Sequence, residues 1–264
     1  MSTKIERPRA VLITGAAGGL GSAVARRFAA DGSRVALSDI NAGRIAELAE
    51  ELDGIGLPAD GTDRDAVRAV VEEAASALGG LDAVIGVQGA QVKSTTNPAS
   101  NDGWDASIAV NLNGQFYFAA EAIPYLLKSR GSIVLIASSA GTLAGPPGAL
   151  GYTAAKHGVV GLVRWLAREY GPRGIRTNCI TPGWIRTPLG DGGVKYIAER
   201  EGITLDEAYD QTTALVPLRR AAEPDEIASV CAFLASSDAS MVNGHVLVAD
   251  GGAAVVDTST AIFN

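Results

Sequence analysis

The stretch that decides the fold reads Thr14-Gly15-Ala16-Ala17-Gly18-Gly19-Leu20-Gly21. It follows the apolar run Ala10-Val11-Leu12-Ile13 and leads into a helical pattern that begins at Ser22. Strand, glycine turn and helix in this order are the context of a dinucleotide-binding fingerprint, because glycines let the backbone approach a pyrophosphate and the new helix offers free N–H groups. A generic glycine-rich turn would explain a glycine motif that stood alone, but here a predicted strand precedes the motif and a predicted helix follows it. The stretch therefore predicts a dinucleotide site.

An acidic residue ends the second predicted strand. Asp39 follows the run Arg34-Val35-Ala36-Leu37-Ser38 and lies 18 residues after Gly21, close to the spacing at which a carboxylate meets the adenosine ribose. A carboxylate accepts hydrogen bonds from a free 2′-hydroxyl and repels a 2′-phosphate. No Arg or Lys lies within the glycine loop or directly after Asp39. This pattern predicts NAD(H) and not NADP(H); the alternative is an aspartate that only closes a turn.

A tyrosine and a lysine lie four residues apart in Gly151-Tyr152-Thr153-Ala154-Ala155-Lys156-His157. On a helix this spacing places both side chains on one face. A lysine cation beside a phenol favours the phenolate and lowers the tyrosine pKa from its reference of roughly 10, which makes Tyr152 a proton donor and acceptor. The alternative is a buried tyrosine near an unrelated surface lysine, and the spacing alone does not decide.

Together these motifs resemble the classical short-chain dehydrogenase/reductase family over nearly the whole chain. The family's serine resembles Ser138 in Ile136-Ala137-Ser138-Ser139-Ala140-Gly141, and its structural asparagine resembles Asn111 in Val110-Asn111-Leu112-Asn113-Gly114. Its cofactor-clamping turn resembles Pro182-Gly183-Trp184-Ile185-Arg186-Thr187, and its closing strand and turn resemble Val246 to Gly252. The resemblance implies an α/β fold, a single doubly wound Rossmann-type domain over residues 1–264 with a parallel sheet of about seven strands and helices on both faces.

The resemblance also implies roles for the site residues. Tyr152 takes the substrate's hydroxyl proton while hydride passes to the nicotinamide, and Ser138 hydrogen-bonds the substrate oxygen. Lys156 lowers the Tyr152 pKa and binds the nicotinamide ribose, and Asn111 holds a water that links Lys156 to solvent. The cofactor is NAD, and its predicted contacts are Gly15, Gly19, Leu20, Gly21, Asp39, Asp60, Gly61, Gln88, Gly89, Tyr152, Lys156, Pro182, Gly183, Ile185 and Thr187.

Two departures from the family pattern bear on the site. The usual Asn-Asn-Ala-Gly after the fourth strand is Gly86-Val87-Gln88-Gly89 here. Both asparagines, which help tie the central strands together, are absent, so another group or water must replace them; Gln88 also stands where a small residue lies beside the ribose. The serine register is open as well. Strand alignment and Gly141 favour Ser138, whereas the usual distance to the tyrosine favours Ser139. We prefer Ser138, with one residue inserted in Gly145-Pro146-Pro147-Gly148.

Apolar runs and helical patterns alternate along the chain, which predicts right-handed crossovers and a parallel sheet covered on both faces. Asp60 closes the third strand, either facing the adenine, as the resemblance implies, or as a turn residue; Asp63 is expected to cap the next helix. Strands are predicted near 10–14, 34–38, 55–59, 82–87, 132–137, 175–180 and 246–249, and helices near 19–31, 41–52, 63–78, 102–129, 151–171 and 223–236.

The segment 188–217 breaks the alternation with two short helical patterns joined by Gly202. Gly190, Gly192 and Gly193 suit hinges, and the position just beyond the clamping turn is that of a substrate lid. A solvated surface excursion is the alternative. Candidate pocket residues are mostly apolar, which favours a hydrophobic or cyclic secondary alcohol and its ketone: Gln91, Val92, Ala140, Leu143, Ala144, Leu150, Trp184, Leu189 and Tyr196. Lys93, Arg186 and Lys195 leave a hydroxy acid open.

Composition excludes several classes of protein. A net charge of −7 argues against partners such as nucleic acid and anionic membranes. No apolar stretch approaches the roughly 18 residues that span a bilayer, and the first residues lack an apolar signal core, so we expect a cytoplasmic protein. Cys179 and Cys231 lie in apolar sequence and are expected to be reduced core residues. No cluster has metal-ligand spacing, so no metal is expected, and Asp250 is interpreted as a turn residue.

Two other functions remain open at this point. The first is a 3-oxoacyl-thioester reductase, which shares these motifs but more often uses NADPH and a basic pocket mouth. The second is a non-catalytic dinucleotide sensor, which would be expected to lose one of the four catalytic residues. The small, apolar C-terminal stretches Gly251–Asp257 and Ala261–Phe263 suggest an interface. The resemblance points the same way and implies a homotetramer built on the helices near 102–129 and 151–171 and on the final strand.

Overall fold

The computed structural model describes residues 8–97, 102–257 and 259. In these ranges seven parallel strands form one sheet in the order β3-β2-β1-β4-β5-β6-β7. The chain begins in the middle of the sheet, builds to one edge, and crosses back at β4, which is the doubly wound order. The strands are β1 (Ala10–Thr14), β2 (Arg34–Ser38), β3 (Ile55–Gly56), β4 (Ala83–Gly86), β5 (Ser132–Ile136), β6 (Arg176–Pro182) and β7 (Val246–Ala249).

Helices cover both faces of the sheet. Every residue of β1 is buried, as expected when a parallel strand is covered on both sides. Leu12 packs in a core with α3, α5 and α6, whereas Val11 and Ile13 pack in a second core with α1, α2 and α9. The helices are α1 (Gly19–Ala30), α2 (Ala42–Glu51), α3 (Arg64–Leu78), α4 (Trp104–Ile108), α5 (Gly114–Ser129), α6 (Leu150–Tyr170), α7 (Pro188–Glu201), α8 (Leu205–Thr213) and α9 (Pro224–Ala235).

The register of the strands explains where a site can form. Thr14 at the end of β1 pairs with Ser38 at the end of β2 and with Gly86 at the end of β4. The residues that follow these three strands therefore leave the sheet at one edge, beside the switch in strand order. In doubly wound folds this crevice is where ligands bind.

The predicted elements are confirmed with small differences. β3 has two residues, although the Leu57 amide bonds to the Leu37 carbonyl of β2 and the Ala59 amide bonds to the carbonyl of Asp39, directly after β2. The predicted helix 102–129 starts at Trp104 and contains a π-helical turn, Ala109–Asn113, between α4 and α5. Asp63 caps α3 by accepting from the amides of Asp65 and Ala66.

The segment after the clamping turn contains α7 and α8. The two helices pack on each other in a small core, to which α7 contributes Val194 and Ala198 and α8 contributes Tyr209. The prediction that Gly190, Gly192 and Gly193 are hinges is wrong, because all three lie inside α7. Gly202 does end α7, with a φ of 67°. The interior glycines have packing roles instead: a Cβ at Gly190 would lie 2.1 Å from the Ile185 carbonyl oxygen, and one at Gly193 would lie 2.8 Å from the Trp184 ring.

Candidate active site

The glycine loop between β1 and α1 forms a cradle that side chains would fill. A Cβ at Gly15, whose φ is 67°, would lie 2.6 Å from the backbone of Gln88, and one at Gly21 would lie 2.0 Å from the Gly15 carbonyl oxygen. Only glycine fits at either position. The loop therefore presents backbone to the crevice, beside the start of α1, which is the arrangement that suits a pyrophosphate.

Asp39 is fixed at the end of β2 by two backbone donors. Its Oδ2 accepts from the amide of Ala17 in the glycine loop at 3.2 Å, and its Oδ1 accepts from the amide of Asn41 at 3.0 Å. Asp60 at the end of the third strand instead accepts from the amide and hydroxyl of Thr62. These bonds agree with a turn role for Asp60; its predicted contact with the adenine stays a prediction.

One cleft of about 770 Å³ runs along this edge of the sheet. All fifteen predicted cofactor residues line it: Gly15, Gly19, Leu20, Gly21, Asp39, Asp60, Gly61, Gln88, Gly89, Tyr152, Lys156, Pro182, Gly183, Ile185 and Thr187. Ser138 lines it too, whereas Asn111 does not. The residues present thus fit an extended dinucleotide, with a glycine cradle at one end and the Tyr152 side chain at the other.

Ser138 and Tyr152 are brought together at one end of the cleft. Ser138 begins the short helical turn Ser139–Gly141, and its hydroxyl accepts from the Ala140 amide at 3.2 Å. A Cβ at Gly141 would lie 2.8 Å from the Lys156 carbonyl oxygen, so this turn packs tightly on α6. Of the two serines, Ser138 is the one whose hydroxyl acts on the ionisation of the Tyr152 phenol, lowering its pKa. The geometry favours Ser138 over Ser139.

Burial dominates the ionisation of Tyr152 and Lys156. Burial raises the pKa of Tyr152, and the hydrogen bond from Ser138 only partly opposes it. Burial also lowers the pKa of Lys156 to about 7. The Lys156 Nζ donates to the Ile136 carbonyl at 2.9 Å and lies 5.5 Å from the Tyr152 ring centroid. The pKa of Tyr152 is therefore raised, not lowered as the four-residue spacing predicts, because desolvation of the phenolate is the dominant effect.

Asn111 lies at the centre of the π-helical turn and is fully buried. Its side chain accepts from the Ala90 amide at 3.1 Å and donates to the Ala90 carbonyl at 2.9 Å and the Ser107 carbonyl at 3.0 Å. A Cβ at Gly89 would lie 3.0 Å from the Asn111 Oδ1 and 3.4 Å from the Lys156 Nζ. Asn111 thus fixes the loop after β4 close to Lys156, and its role in a water relay stays a prediction.

Sequence reasoning missed three residues that shape this region. Ser94 is fully buried and accepts from the Gly151 amide at 2.5 Å, directly before Tyr152. Tyr209 on α8 donates to Asp191 on α7 at 2.9 Å. Gln115 donates to the Ile136 carbonyl at the end of β5 and to the Gln88 carbonyl in the loop after β4. The only sequence signal was for Gln115, a polar residue in an otherwise apolar stretch, and its partners are distant in sequence.

The compartment beyond Tyr152 is largely apolar. Of the nine candidate pocket residues, Gln91, Ala140, Ala144, Trp184 and Leu189 line the cleft, and Val92, Leu143, Leu150 and Tyr196 do not. Among the described residues, the charged ones that line the cleft are Asp39, Asp60 and Lys156. Arg186 pairs with Asp206 at 2.5 Å, and Lys195 lies 3.6 Å from Glu199. Among the described residues, none of the three cations that left a hydroxy acid open lines the cleft: Lys93, Arg186 and Lys195.

A glycine cradle and an acid at a strand end define a dinucleotide-binding α/β site, and a Ser–Tyr–Lys cluster adjoins it. The family model described as enoyl-(acyl carrier protein) reductase matches residues 15–254. The chain belongs to the short-chain dehydrogenase/reductase family, whose members are oxidoreductases that bind a nicotinamide dinucleotide.

Named relatives cover nearly the whole chain. Protein MoaE of Klebsiella aerogenes is 38% identical over an alignment of 278 positions, gaps included, that covers 97% of this chain and 99% of the relative. Meso-2,3-butanediol dehydrogenase of Serratia marcescens is 36% identical over 94% of this chain and 96% of its own. The crystal structure of levodione reductase superposes with a TM-score of 0.88 at 34% identity, covering 94% of this chain and 98% of that one.

Within the described residues, no group of His, Cys, Asp and Glu side chains is placed to hold a metal ion. No helix there is long and apolar enough to cross a membrane. Cys179 and Cys231 are buried and unpaired, and burial raises the pKa of both thiols to about 12. Asp250 accepts from the amides of Gly252 and Ala254, as a turn residue does.

Proposed function

We propose that this protein is an NAD-dependent oxidoreductase that interconverts an uncharged secondary alcohol and its ketone. The observation that carries the proposal is the convergence of Ser138, Tyr152 and Lys156 between a dinucleotide cradle and an apolar compartment. The names of two relatives support an alcohol–ketone reaction, since one is a butanediol dehydrogenase and the other is a levodione reductase.

In this proposal the dinucleotide supplies the hydride acceptor or donor, and the chain's residues handle the proton. In the oxidative direction the Tyr152 oxygen, as phenolate, removes the proton of the substrate hydroxyl. Ser138 hydrogen-bonds the same oxygen and steadies its charge. Lys156, whose Nζ lies 5.5 Å from the Tyr152 ring centroid, stabilises the phenolate when the lysine is protonated. Burial raises the Tyr152 pKa, so the phenolate fraction, and with it oxidation, should increase toward alkaline pH.

The preference for NAD rests on Asp39. The carboxylate lines the cleft and is held against the glycine loop by the Ala17 amide. Apart from Lys156 at the opposite end, no cation of the described residues lines the cleft to offset the repulsion of a 2′-phosphate. A free 2′-hydroxyl, in contrast, finds a strong acceptor.

The lining of the substrate compartment argues for an apolar or cyclic substrate. Ala140, Ala144, Trp184 and Leu189 offer apolar contacts, and Gln91 is the main polar side chain among the candidates that line it. A hydroxy acid would leave its carboxylate without a cation. We further propose that residues 1–264 form one catalytic domain in which residues 188–217, containing α7 and α8, act as a lid over this compartment.

The best competing function is reduction of a 3-oxoacyl thioester. A 3-oxoacyl-(acyl-carrier-protein) reductase of Thermotoga maritima, 35% identical over 91% of this chain, favours it. Asp39 and the absence of basic lining at the substrate end, among the described residues, speak against it. A non-catalytic sensor is the second alternative. It would not need the cluster of Ser138, Tyr152 and Lys156 with Asn111 beside it.

The test is a panel of substrates with NAD at alkaline pH, followed by the near-ultraviolet absorbance of reduced nicotinamide. We expect turnover with uncharged secondary alcohols, greatest for cyclic or branched ones, and little with the matching hydroxy acids. Turnover confined to acyl thioesters would favour the reductase. Dinucleotide binding without turnover of any alcohol or thioester would favour the sensor.

A further inference from the structure

Gln115, at the start of α5, lies beneath the ends of β4 and β5 and is fully buried. Its Nε2 donates to the Ile136 carbonyl at 2.9 Å and to the Gln88 carbonyl at 3.4 Å. Both acceptors are carbonyls, so the nitrogen of the amide must face them. The Oε1 faces away and has no partner in the described part of the chain. One amide thus joins two neighbouring strand ends where they enter the cleft.

Gly86 leaves the space that this amide uses. A Cβ at Gly86 would lie 3.4 Å from the Gln115 Oε1 and 2.8 Å from the Leu135 Cδ2. A side chain at position 86 would therefore contact the Gln115 amide and would require the Leu135 side chain to move. The family pattern has an asparagine at position 86. In this chain the amide comes from α5, on the other side of the same space.

The Ile136 carbonyl that Gln115 holds also accepts from the Lys156 Nζ at 2.9 Å. A carbonyl oxygen has two lone pairs and can take both donors. Lys156 is only 2% exposed, so this oxygen is its main anchor in the structure. Ile136 also lies two residues before Ser138. The carbonyl is thus linked to Lys156 by a hydrogen bond and to Ser138 through the backbone.

We propose that Gln115 replaces the strand-tying asparagines and acts as a positioning residue. It holds the Ile136 carbonyl, and through it Lys156 and Ser138, at a fixed place relative to the Gly86–Gly89 strand end. The link that Gln115 makes between the two strand ends, here called the strand tie, is supported by its two hydrogen bonds alone. The effect on catalysis rests on the proposed function.

The test replaces Gln115 by Met, which has a similar volume and no donor. Hydrogen exchange should become about tenfold faster at the amides of Val87 and Ala137, the size expected from one net hydrogen bond. These amides bond to the Thr14 and Ile180 carbonyls. At a temperature below the melting point of every variant, kcat should fall about tenfold as the Ile136 carbonyl shifts.

Asn178→Leu is the matched control. Asn178 on β6 is a buried amide that donates to the Val242 carbonyl and accepts from the His245 amide, away from the cleft. This variant should lower the melting temperature but leave kcat and the exchange at Val87 close to wild type. Equal losses of kcat in both variants would overturn the positioning role. Unchanged exchange in Gln115→Met would overturn the strand tie.

A rescue variant tests the replacement itself. Gln115→Ala empties the space, and Gly86→Asn combined with Gln115→Ala should restore part of the exchange protection and of kcat relative to Gln115→Ala. Failure of the double variant to recover either one would overturn the replacement. If the wild type shows no turnover, the proposed function fails, and the exchange comparison still decides the strand tie.

Discussion

Tyr152 carries the proton in the proposed reaction, and its hydroxyl is the only group that Tyr152→Phe removes. The ring stays, so packing in the cleft should survive. We expect turnover to fall by about 10² to 10⁴, while the affinity for NAD stays within about threefold of wild type. Steady-state rates and a fluorescence titration measure the two effects. Tyr196→Phe on the exposed side of α7 is the control. Near wild-type turnover of Tyr152→Phe would remove this residue from the mechanism.

The choice of cofactor should depend on Asp39. In Asp39→Ala the efficiency with NAD should fall by about tenfold, and the penalty against NADP should ease, because the ribose acceptor and the repulsive charge are both lost. Adding Ile40→Arg, at an exposed position that lines the cleft, should then raise the efficiency with NADP. Values of kcat/KM with both cofactors provide the measurement. Equal efficiencies in the wild type would contradict the assignment.

Lys156 should destabilise the cofactor-free protein near neutral pH. Burial lowers its pKa from 10.5 to about 7, so between these values the unfolded chain holds a proton that the folded chain lacks. Stability therefore increases as pH rises through this window, and below it the buried cation costs its full penalty. Lys156→Met should be more stable than wild type by roughly 2 kcal/mol or more at pH 6, with the gain shrinking toward pH 10. Urea unfolding across this range is the measurement. A gain independent of pH would refute the ionisation argument.

At the scale of elements, two adjacent glycines of α7 allow the effect of packing to be measured apart from the effect of helix propensity. A Cβ at Gly193 would lie 2.8 Å from the Trp184 ring, whereas one at Gly192 meets nothing within 4 Å. Gly193→Ala should displace α7 from the clamping turn and raise KM for the alcohol several-fold. Gly192→Ala, the matched control, should stabilise the protein by about 0.5–1 kcal/mol without changing KM. If both variants behave alike, α7 is not packed against the substrate compartment as proposed.

For the whole molecule we propose assembly into a homotetramer through α4, α5 and α6. Trp165 on α6 is 58% exposed, and Trp104 and Phe116 are each 38% exposed, more apolar surface than an isolated chain usually presents. Residues 253–257 of the C-terminal stretch are described, and Val255 is exposed there; the predicted contact of Ala261–Phe263 lies outside the described residues.

Trp165→Ala should weaken this assembly, since an anchoring aromatic side chain is lost from the interface. Sedimentation equilibrium should show a tetramer for wild type at micromolar concentration and smaller species for the variant. Glu50→Ala on α2, at the opposite edge of the sheet, should sediment as wild type does. A wild-type monomer would refute the assembly.

The sequence, with the family resemblance, predicted the doubly wound fold, and all fifteen residues predicted to contact the cofactor line the cleft. Four of the nine residues predicted for the substrate pocket do not line it. Gly15 and Gly21 reveal the cradle because a tight turn between strand and helix excludes side chains, and this constraint is local in sequence. Asp39 was predictable for the same reason, since the length of one β–α–β unit sets its distance from the loop. The spacing of Tyr152 and Lys156 likewise follows from one helical turn.

Only the tertiary structure decided what depends on burial and on contacts between distant segments. It reversed the expected shift of the Tyr152 pKa, because desolvation depends on every element packed around the phenol. It placed Gly190 and Gly193 inside α7, where they allow close approach to Ile185 and Trp184. It also supplied Gln115 for the missing asparagines, because the space vacated at Gly86 can be filled from a helix about thirty residues away along the chain.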